Sequence, residues 1–242
     1  MSLRRQQPPS ENVNALAELG LFSAGIMHEI KNALQGIANA LFLLAGESDL
    51  SPRVREEVAL ARQELSRAFD VSAQTLALAR EEKPVALSLV GLLEEILNTY
   101  SAKSAYKHFM VERQYEFAGT IQGSPGAVRQ VFSNIILNAL ESAPFETGKL
   151  VIHTYACRNS KNGNTPGVQI DFADNGPGIP DQNKKRVFEP LFSTKKGKGA
   201  GLGLWVAHRL VLQQHGQIRL VSGSEGVNPG ACFSVFLPLS RN

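Results

Sequence analysis

Hydrophobic residues recur at alternating spacings of three and four through the first third of the chain, a pattern that indicates long helices. The first stripe consists of Leu16, Leu19, Ser23, Ile26, Ile30, Ala33, Ile37, Ala40 and Leu44. A facing stripe consists of Val54, Val58, Ala61, Leu65, Ala68, Ser72, Thr75 and Ala79. Residues 46–52 separate the stripes, and Ser51 followed by Pro52 is a typical helix start. The pattern predicts a two-helix hairpin within residues 12–83.

One hairpin cannot bury both stripes together with flanking apolar residues such as Phe22 and Leu41. Two copies can cover these surfaces by associating into a four-helix bundle. We therefore expect a homodimer formed through residues 12–83.

After Pro84 the pattern changes to short β-rich runs mixed with amphipathic helices. Expected strands are 111–117, 149–158, 168–173, 217–222 and 231–238, and expected helices are 89–103, 124–142 and 202–215. This mixed order predicts an α+β domain over residues 84–242, with helices packed on one sheet. Residues 81–84 are expected to form a hinge, because proline disfavours helix in the residue before it. Residues 1–11 are expected to be a disordered or truncated terminus.

The composition is that of a soluble globular protein, since 43% of the 242 residues are hydrophobic and 19% are charged. No apolar run approaches the length of about 18 residues needed to cross a bilayer, and no secretory leader is present, so we expect a cytoplasmic chain. Basic and acidic residues number 9 and 11 up to Lys83, and 16 and 11 after it. This small basic surplus argues against nucleic acid and is compatible with a polyphosphate ligand.

One histidine lies on the outer face of the first predicted helix. With Ser23 at heptad position a, Ile26 falls at d and His28 at f, the position farthest from the seam. Asn32 follows one turn later on the same face, and Gly25 lies one turn before. A single histidine on a helix is most often an ordinary surface residue. Glycine costs about 1 kcal/mol inside a helix relative to alanine, however, so Gly25 indicates space left for something bulky to approach.

The segment Met27-His28-Glu29-Ile30-Lys31-Asn32 resembles the phosphoacceptor box of the sensor histidine kinases of two-component signalling. The resemblance implies that His28 is phosphorylated and that Glu29 assists proton handling. It also implies that Asn32 positions water if the kinase dephosphorylates its partner. A neutral imidazole is a suitable nucleophile, and a neighbouring carboxylate selects its tautomer. The family commonly has proline where Ala33 stands, so the resemblance gives no support for a switch based on a helix bend.

Two glycine-containing loops occur in the second domain. Asp174-Asn175-Gly176-Pro177-Gly178 follows the hydrophobic run 168–173, where an Asx-type turn is the simplest interpretation. Residues 197–204 run directly into an amphipathic helix, so backbone N–H groups, a helix amino terminus and Lys198 can converge on phosphate. This loop is neither a Walker A sequence nor part of a βαβ unit, so it is weak evidence by itself.

Four segments together resemble the nucleotide-binding boxes of the histidine kinase catalytic domain, in that family's order. They are 134–138, 174–178, 188–192 and 199–203. The resemblance implies an α/β sandwich ATP-binding domain of the histidine kinase and Hsp90-like type. The implied nucleotide contacts come from Asn134, Asn138, Asp174, Gly176, Gly178, Phe188, Phe192, Lys195, Lys198, Gly199, Gly201, Leu202 and Gly203.

The resemblance also implies individual roles. Asp174 would hydrogen-bond the adenine amino group of ATP, and Asn138 would hold a Mg²⁺ ion that bridges the phosphates. Phe188 and Phe192 would anchor a mobile lid against the sheet. The lid would be formed by Gly199, Gly201 and Gly203.

Asn134 and Asn138 lie four residues apart, so both amides can point at one ligand from the same helix face. In the wider ATPase superfamily of the Hsp90, gyrase and MutL types, the position that corresponds to Asn134 is a glutamate that activates water. An amide cannot act as a general base, so the pocket should hold ATP without hydrolysing it efficiently.

These features predict an ATP-dependent protein histidine kinase that autophosphorylates His28 and passes the phosphoryl group to an aspartate of a response-regulator receiver domain. We expect input from a separate sensor protein or a missing sensor domain, and no nucleic-acid partner. The family often has a basic residue where Glu141 stands, and lysines at 195, 196 and 198 are candidates to replace that phosphate contact. Two alternatives remain, a nucleotide-binding scaffold without kinase activity and a hydrolytic ATPase of the Hsp90-like superfamily.

Overall fold

The computed structural model of the chain describes residues 24–47, 50–79, 82–102, 108–144, 146–159, 164–190, 192–194, 201–221 and 230–239. The chain divides into two compact units, the first ending at residue 80 and the second beginning at residue 81. Within the described ranges, no helix combines the length and the apolar character that a membrane crossing requires.

The first unit is a pair of helices joined by a short turn. Helix α1 covers Ala24–Ala45 and helix α2 covers Pro52–Ala79. Ser51 starts α2 as predicted, because its hydroxyl accepts from the Val54 N–H at 3.4 Å and its carbonyl accepts from the Arg55 N–H at 3.0 Å. The part of the predicted first helix before residue 24 lies outside the described residues.

Members of both apolar stripes are exposed in a single copy of the hairpin. Ile37, Leu44 and Val54 each expose between 41% and 51% of their surface, whereas Val58 is buried. Removing apolar surface from water contributes about 25 cal/mol per Å², so these side chains favour being covered.

The second unit contains a five-stranded sheet and a two-stranded ribbon. The strands are β1 (Val85–Ser88), β2 (Met110–Tyr115), β3 (Thr120–Gly123), β4 (Lys149–Asn159), β5 (Thr165–Asp174), β6 (Gln217–Val221) and β7 (Cys232–Pro238). The helices are α3 (Leu89–Ser101), α4 (Pro125–Ser142), α5 (Asp181–Lys184) and α6 (Gly203–Gln213). Strands β1 and β3 form the antiparallel ribbon. The sheet has the order β2, β4, β5, β7, β6, in which β2 and β4 are parallel and the other neighbours are antiparallel.

The core lies between this sheet and the apolar faces of the long helices. Ile152, Phe172 and Phe233 are aligned across β4, β5 and β7, and all three are buried. Phe132 of α4 packs against Phe172, with ring centroids 5.7 Å apart. The predicted α+β class, with helices on one sheet, is confirmed. The sequence pattern does not predict β1, β3 and α5, because four residues are too few to show a period.

The start of the second unit is bound to the beginning of α4. Ser124 precedes the helix but makes no side-chain cap to it. Instead, the Glu82 carboxylate accepts a hydrogen bond from the Gly126 N–H at 2.7 Å, and the Glu82 carbonyl accepts from the Ser124 hydroxyl at 3.1 Å. A carboxylate at a helix amino terminus also interacts favourably with the helix dipole. Buried Gln214, at the end of α6, completes the cluster by accepting from the Ser124 N–H at 3.1 Å.

Candidate functional site

Asp174 ends β5 and is fixed by the backbone around it. It is only 3% exposed, and its Oδ1 accepts hydrogen bonds from the Gly176 N–H at 2.8 Å and the Ala231 N–H at 3.2 Å. The Asp174 N–H donates in turn to the Ala231 carbonyl at 2.9 Å. The carboxylate therefore has a defined position and a buried setting, both of which favour selective recognition of a hydrogen-bond donor.

Glycines permit the close packing around this carboxylate. A Cβ at Gly176 would lie 2.9 Å from Asp174 Oδ1 and 3.0 Å from the Ser142 carbonyl oxygen. A Cβ at Gly230 would lie 1.8 Å from the Asp174 carbonyl oxygen. Gly178 has a φ of 73°, a left-handed conformation that favours glycine. The sequence marks residues 228–230 as a turn but does not assign Gly230 to the site, because its constraint comes from a segment far away in the sequence.

Asn175 holds the same loop against the beginning of β4. Its Oδ1 accepts from the Lys149 N–H at 2.7 Å, and its Nδ2 donates to the Thr147 carbonyl at 2.7 Å. The Asn175 N–H donates to the Lys149 carbonyl at 3.1 Å. The end of β5 is thus bound to the start of β4 through Asn175 and to Ala231 through Asp174.

Helix α4 carries a stripe of three amide side chains at successive turns, Gln130, Asn134 and Asn138. Asn134 is 8% exposed, and its Nδ2 donates to the Gly203 carbonyl at 2.8 Å. Gln130 Nε2 donates to Asn134 Oδ1, also at 2.8 Å. Asn138 is half-buried, and its carbonyl accepts from the Ser142 hydroxyl at 2.7 Å. Gln130 is not among the predicted site residues, although its four-residue spacing to Asn134 places it on the same helix face.

The carboxyl-terminal part of the glycine-rich segment leads into α6. Gly201 has a φ of 68°, Leu202 is buried, and Gly203 is the first residue of the helix. Trp205 and Val206 are buried in its first turns, which fixes this end of the segment to the core. Lys195, Lys198 and Gly199, which the sequence assigns to the site, lie outside the described residues.

The two phenylalanines assigned to the lid anchor have different surroundings. The Phe188 ring lies 5.2 Å from the His208 ring of α6 and packs edge-on against Phe233 of β7, at 6.2 Å. Phe188 therefore contacts both α6 and the sheet. The Phe192 ring lies beneath the Arg186 guanidinium, at 4.4 Å. Burial lowers the pKa of His208, so the imidazole beside Phe188 favours its neutral form.

The histidine region of the first unit lies on a continuous helix. The α1 backbone includes His28 and Glu29, whose side chains lie outside the described residues. Asn32 is exposed, and the helix continues without a break through Ala33. A Cβ at Gly36, one turn further on, would have nothing within 4 Å.

In the described ranges, no group of three or more His, Cys, Asp or Glu residues could hold a metal ion. Amide oxygens such as that of Asn138 suit Mg²⁺, which usually retains water and binds phosphate oxygens alongside one or two protein ligands. The residues present therefore fit a cation that arrives with a polyphosphate.

Comparisons with protein families match both parts of the chain. Residues 18–84 match the His Kinase A (phospho-acceptor) domain, and residues 123–241 match the histidine kinase-, DNA gyrase B- and HSP90-like ATPase domain. Sporulation kinase B of Bacillus subtilis is 30% identical, over 98% of this chain and 53% of the relative. The sensory histidine kinase/phosphatase NtrB of Klebsiella oxytoca is 29% identical, over 90% of this chain and 61% of the relative. The chain thus spans about half the length of such relatives.

Solved structures show the same fold. The crystal structure of full-length ShkA in complex with AMPPNP matches with a TM-score of 0.65 and 24% identity, over 90% of this chain and 46% of that one. The histidine kinase AdeS of Acinetobacter baumannii matches with a TM-score of 0.57 and 18% identity, over 90% of this chain and 99% of that one.

Proposed function

Because the chain belongs to the sensor histidine kinases of two-component signalling, we propose that it autophosphorylates His28 with ATP and passes the phosphoryl group to an aspartate of a receiver domain. Residues 12–83 form the phosphoacceptor hairpin in this proposal, and residues 84–242 form the catalytic domain. The observation that carries the proposal is the buried, backbone-fixed carboxylate of Asp174, in a unit whose family binds nucleotides through this kind of domain.

Asp174 selects adenine in this mechanism. Its carboxylate accepts a hydrogen bond from the exocyclic amino group of the base. A guanine in the same position would present a carbonyl oxygen, which leaves two acceptors facing each other in a buried site. Gly176 and Gly178 keep the loop close enough for this contact.

The phosphates are bound at the other end of the nucleotide. Asn138 would hold Mg²⁺ through its amide oxygen, and a bound Mg²⁺ ion would supply positive charge against the phosphates. The lid is assigned to Gly199, Gly201 and Gly203, with Phe188 and Phe192 as its anchor, and Leu202 is assigned a nucleotide contact beside it. Lys195 and Lys198 add positive charge beside it.

His28 is the nucleophile. An imidazole nitrogen attacks the γ-phosphorus, so the N–P bond forms as the bond to the β,γ-bridging oxygen breaks and ADP leaves. Glu29 holds the other ring nitrogen and stabilises the positive charge on the ring. Asn134 cannot remove a proton from water, so the γ-phosphate is kept for His28. Asn32 positions water if the protein also dephosphorylates its receiver partner.

The apolar stripes of the hairpin support a homodimer through residues 12–83. Exposed Ile37, Leu44 and Val54 are members of those stripes, and a second copy would cover them. The receiver domain, and a sensor that supplies the signal, are the further partners of this proposal.

Incubation of the full chain with γ-labelled ATP tests the function. We expect acid-labile, base-stable label on the wild type, no label on His28→Gln, and label retained on His108→Gln, which changes an exposed histidine of the other unit. Label that persists in His28→Gln would contradict the assignment. ATP binding without any label would favour the scaffold, and phosphate release without an acceptor would favour the hydrolytic ATPase.

A further inference from the structure

The side-chain amide of Asn134 ties the start of α6 to α4. It donates to the Gly203 carbonyl at 2.8 Å and accepts from Gln130 Nε2 at 2.8 Å. A carbonyl can only accept, so Nδ2 must face Gly203 and Oδ1 must face Gln130. The two neighbours therefore define which way the amide points.

The carbonyl that Asn134 binds belongs to Gly203, the last glycine of the glycine-rich segment and the first residue of α6. Leu202, at the N-cap position of α6, makes no side-chain cap hydrogen bond within the described residues. Asn134 is 8% exposed, so its amide cannot readily exchange these partners for water. The bond consequently fixes one end of the segment to the helix that carries Asn138.

We propose that Asn134 is a positioning residue, which holds the end of the glycine-rich segment ready for nucleotide, and that Gln130 sets the orientation of its amide. This inference rests on the proposed function. Without the bond, Gly203 and the adjoining residues 201 and 202 sample more conformations before ATP binds, and binding must order them. Once nucleotide is bound, its own contacts restrict residues 201–203 in the variant as in the wild type. The loss should therefore appear in the Kd and KM for ATP more than in kcat.

A direct metal contact from Asn134 would respond differently to substitution. An amide that binds Mg²⁺ uses its oxygen, and an aspartate at the same position keeps an oxygen ligand. An amide that donates to a carbonyl uses its NH2 group, which an ionised aspartate lacks. The Asn134→Asp variant therefore separates the two roles.

The full chain provides its own probe, because its single tryptophan is Trp205, two residues after Gly203. Nucleotide titrations followed by Trp205 fluorescence should show that Asn134→Asp weakens ATP binding about tenfold, with and without Mg²⁺. The KM for ATP in autophosphorylation should rise to a similar extent, with a smaller change in kcat. Lowering the pH protonates the introduced carboxyl and restores a donor, so affinity relative to wild type at the same pH should recover.

A matched pair of substitutions at Gln130 tests the coupling, since Gln130 reaches Gly203 only through Asn134 in this contact. Gln130→Glu offers an acceptor, so the Asn134 amide turns its NH2 group away from Gly203, and ATP affinity should fall about as far as in Asn134→Asp. Gln130→Lys keeps a donor and should retain most of the affinity. Gln122→Ala, which removes an exposed amide from β3, is the control and should match the wild type.

Three outcomes would overturn the inference. They are equal losses in the two Gln130 variants, a fall in kcat with an unchanged KM, and binding by Asn134→Asp that is weakened only without Mg²⁺. If Asn134→Asp does not fold, the two Gln130 variants still test the inference. A wild-type chain that binds no ATP would refute the proposed function as well, whereas wild-type binding with unchanged variants refutes this inference alone.

Discussion

The close approach of Gly230 to Asp174 gives a prediction that links stability to the nucleotide site. A Cβ at Gly230 would lie 1.8 Å from the Asp174 carbonyl oxygen, whereas real Cβ atoms essentially never come closer than 3.0 Å to a nonbonded heavy atom of another part of the chain. The change Gly230→Ala must therefore push the two segments apart. The bonds at risk are the two between Asp174 and Ala231, at 2.9 and 3.2 Å.

The cost can be worked out from these contacts. Each buried hydrogen bond contributes about 1 kcal/mol, and overpacking costs about 1–3 kcal/mol, so we expect the free energy of unfolding to fall by about 3–5 kcal/mol. A single domain is typically stable by only about 5–15 kcal/mol. ATP affinity should fall as well, because the Asp174 carboxylate loses one of the backbone groups that hold it.

Urea unfolding followed by Trp205 fluorescence measures the effect, because this tryptophan is buried in the second unit. The matched control is Gly203→Ala, where the added Cβ meets Asn134 at an ordinary 3.7 Å. The control should change the unfolding free energy by no more than about 1 kcal/mol. If Gly230→Ala unfolds at the urea concentration of the wild type, the steric reasoning is wrong.

Three further predictions concern titratable and capping groups. Glu82→Gln removes the charge that caps α4 and should lower the free energy of unfolding, measured in urea, by about 1 kcal/mol. The control Glu146→Gln changes an exposed carboxylate and should leave this free energy unchanged. Equal effects of the two substitutions would rule out specific capping by Glu82. Burial lowers the pKa of His208 in the folded chain from the ordinary 6.5, so the unfolded chain binds the proton more readily. The free energy of unfolding should therefore fall as the pH drops through 6.5, and it should level off below the pKa of His208 in the folded chain. His208→Gln should flatten that part of a pH series of thermal melts, and an unchanged slope would contradict the assignment. Burial raises the pKa of Cys232 to about 11 and also raises the pKa of Cys157. Both thiols should therefore react with iodoacetamide at neutral pH far more slowly in the folded chain than in the urea-unfolded chain. Equal rates in the two states would show that the fold does not protect these thiols.

The long elements could be predicted from the sequence because they repeat a pattern often enough to be recognised. Strand β5 contains four consecutive buried residues, 167–170, within an apolar run and ends at Asp174, so the site carboxylate could be placed at a strand end. Strands β1 and β3 have four residues each and become visible only through their pairing.

Contacts between distant segments could not be predicted in the same way. The roles of Gly230 and Glu82 depend on atoms more than forty positions away, as the 44-residue separation of Glu82 and Gly126 illustrates. Asn134 could be assigned to the site from its spacing to Asn138. That its amide bridges Gln130 and Gly203 depends on how α6 meets α4, which no local pattern specifies.

The capping of α4 by Glu82 has a mechanical consequence. Glu82 is the second residue of the second unit, and it is hydrogen-bonded to the amino terminus of α4, the helix that bears Asn138. A displacement of Glu82 would act directly on the amino terminus of this helix, which runs without a break from Pro125 past Asn138. Such a displacement would change the position of Asn138 before it affected the loop that carries Asp174.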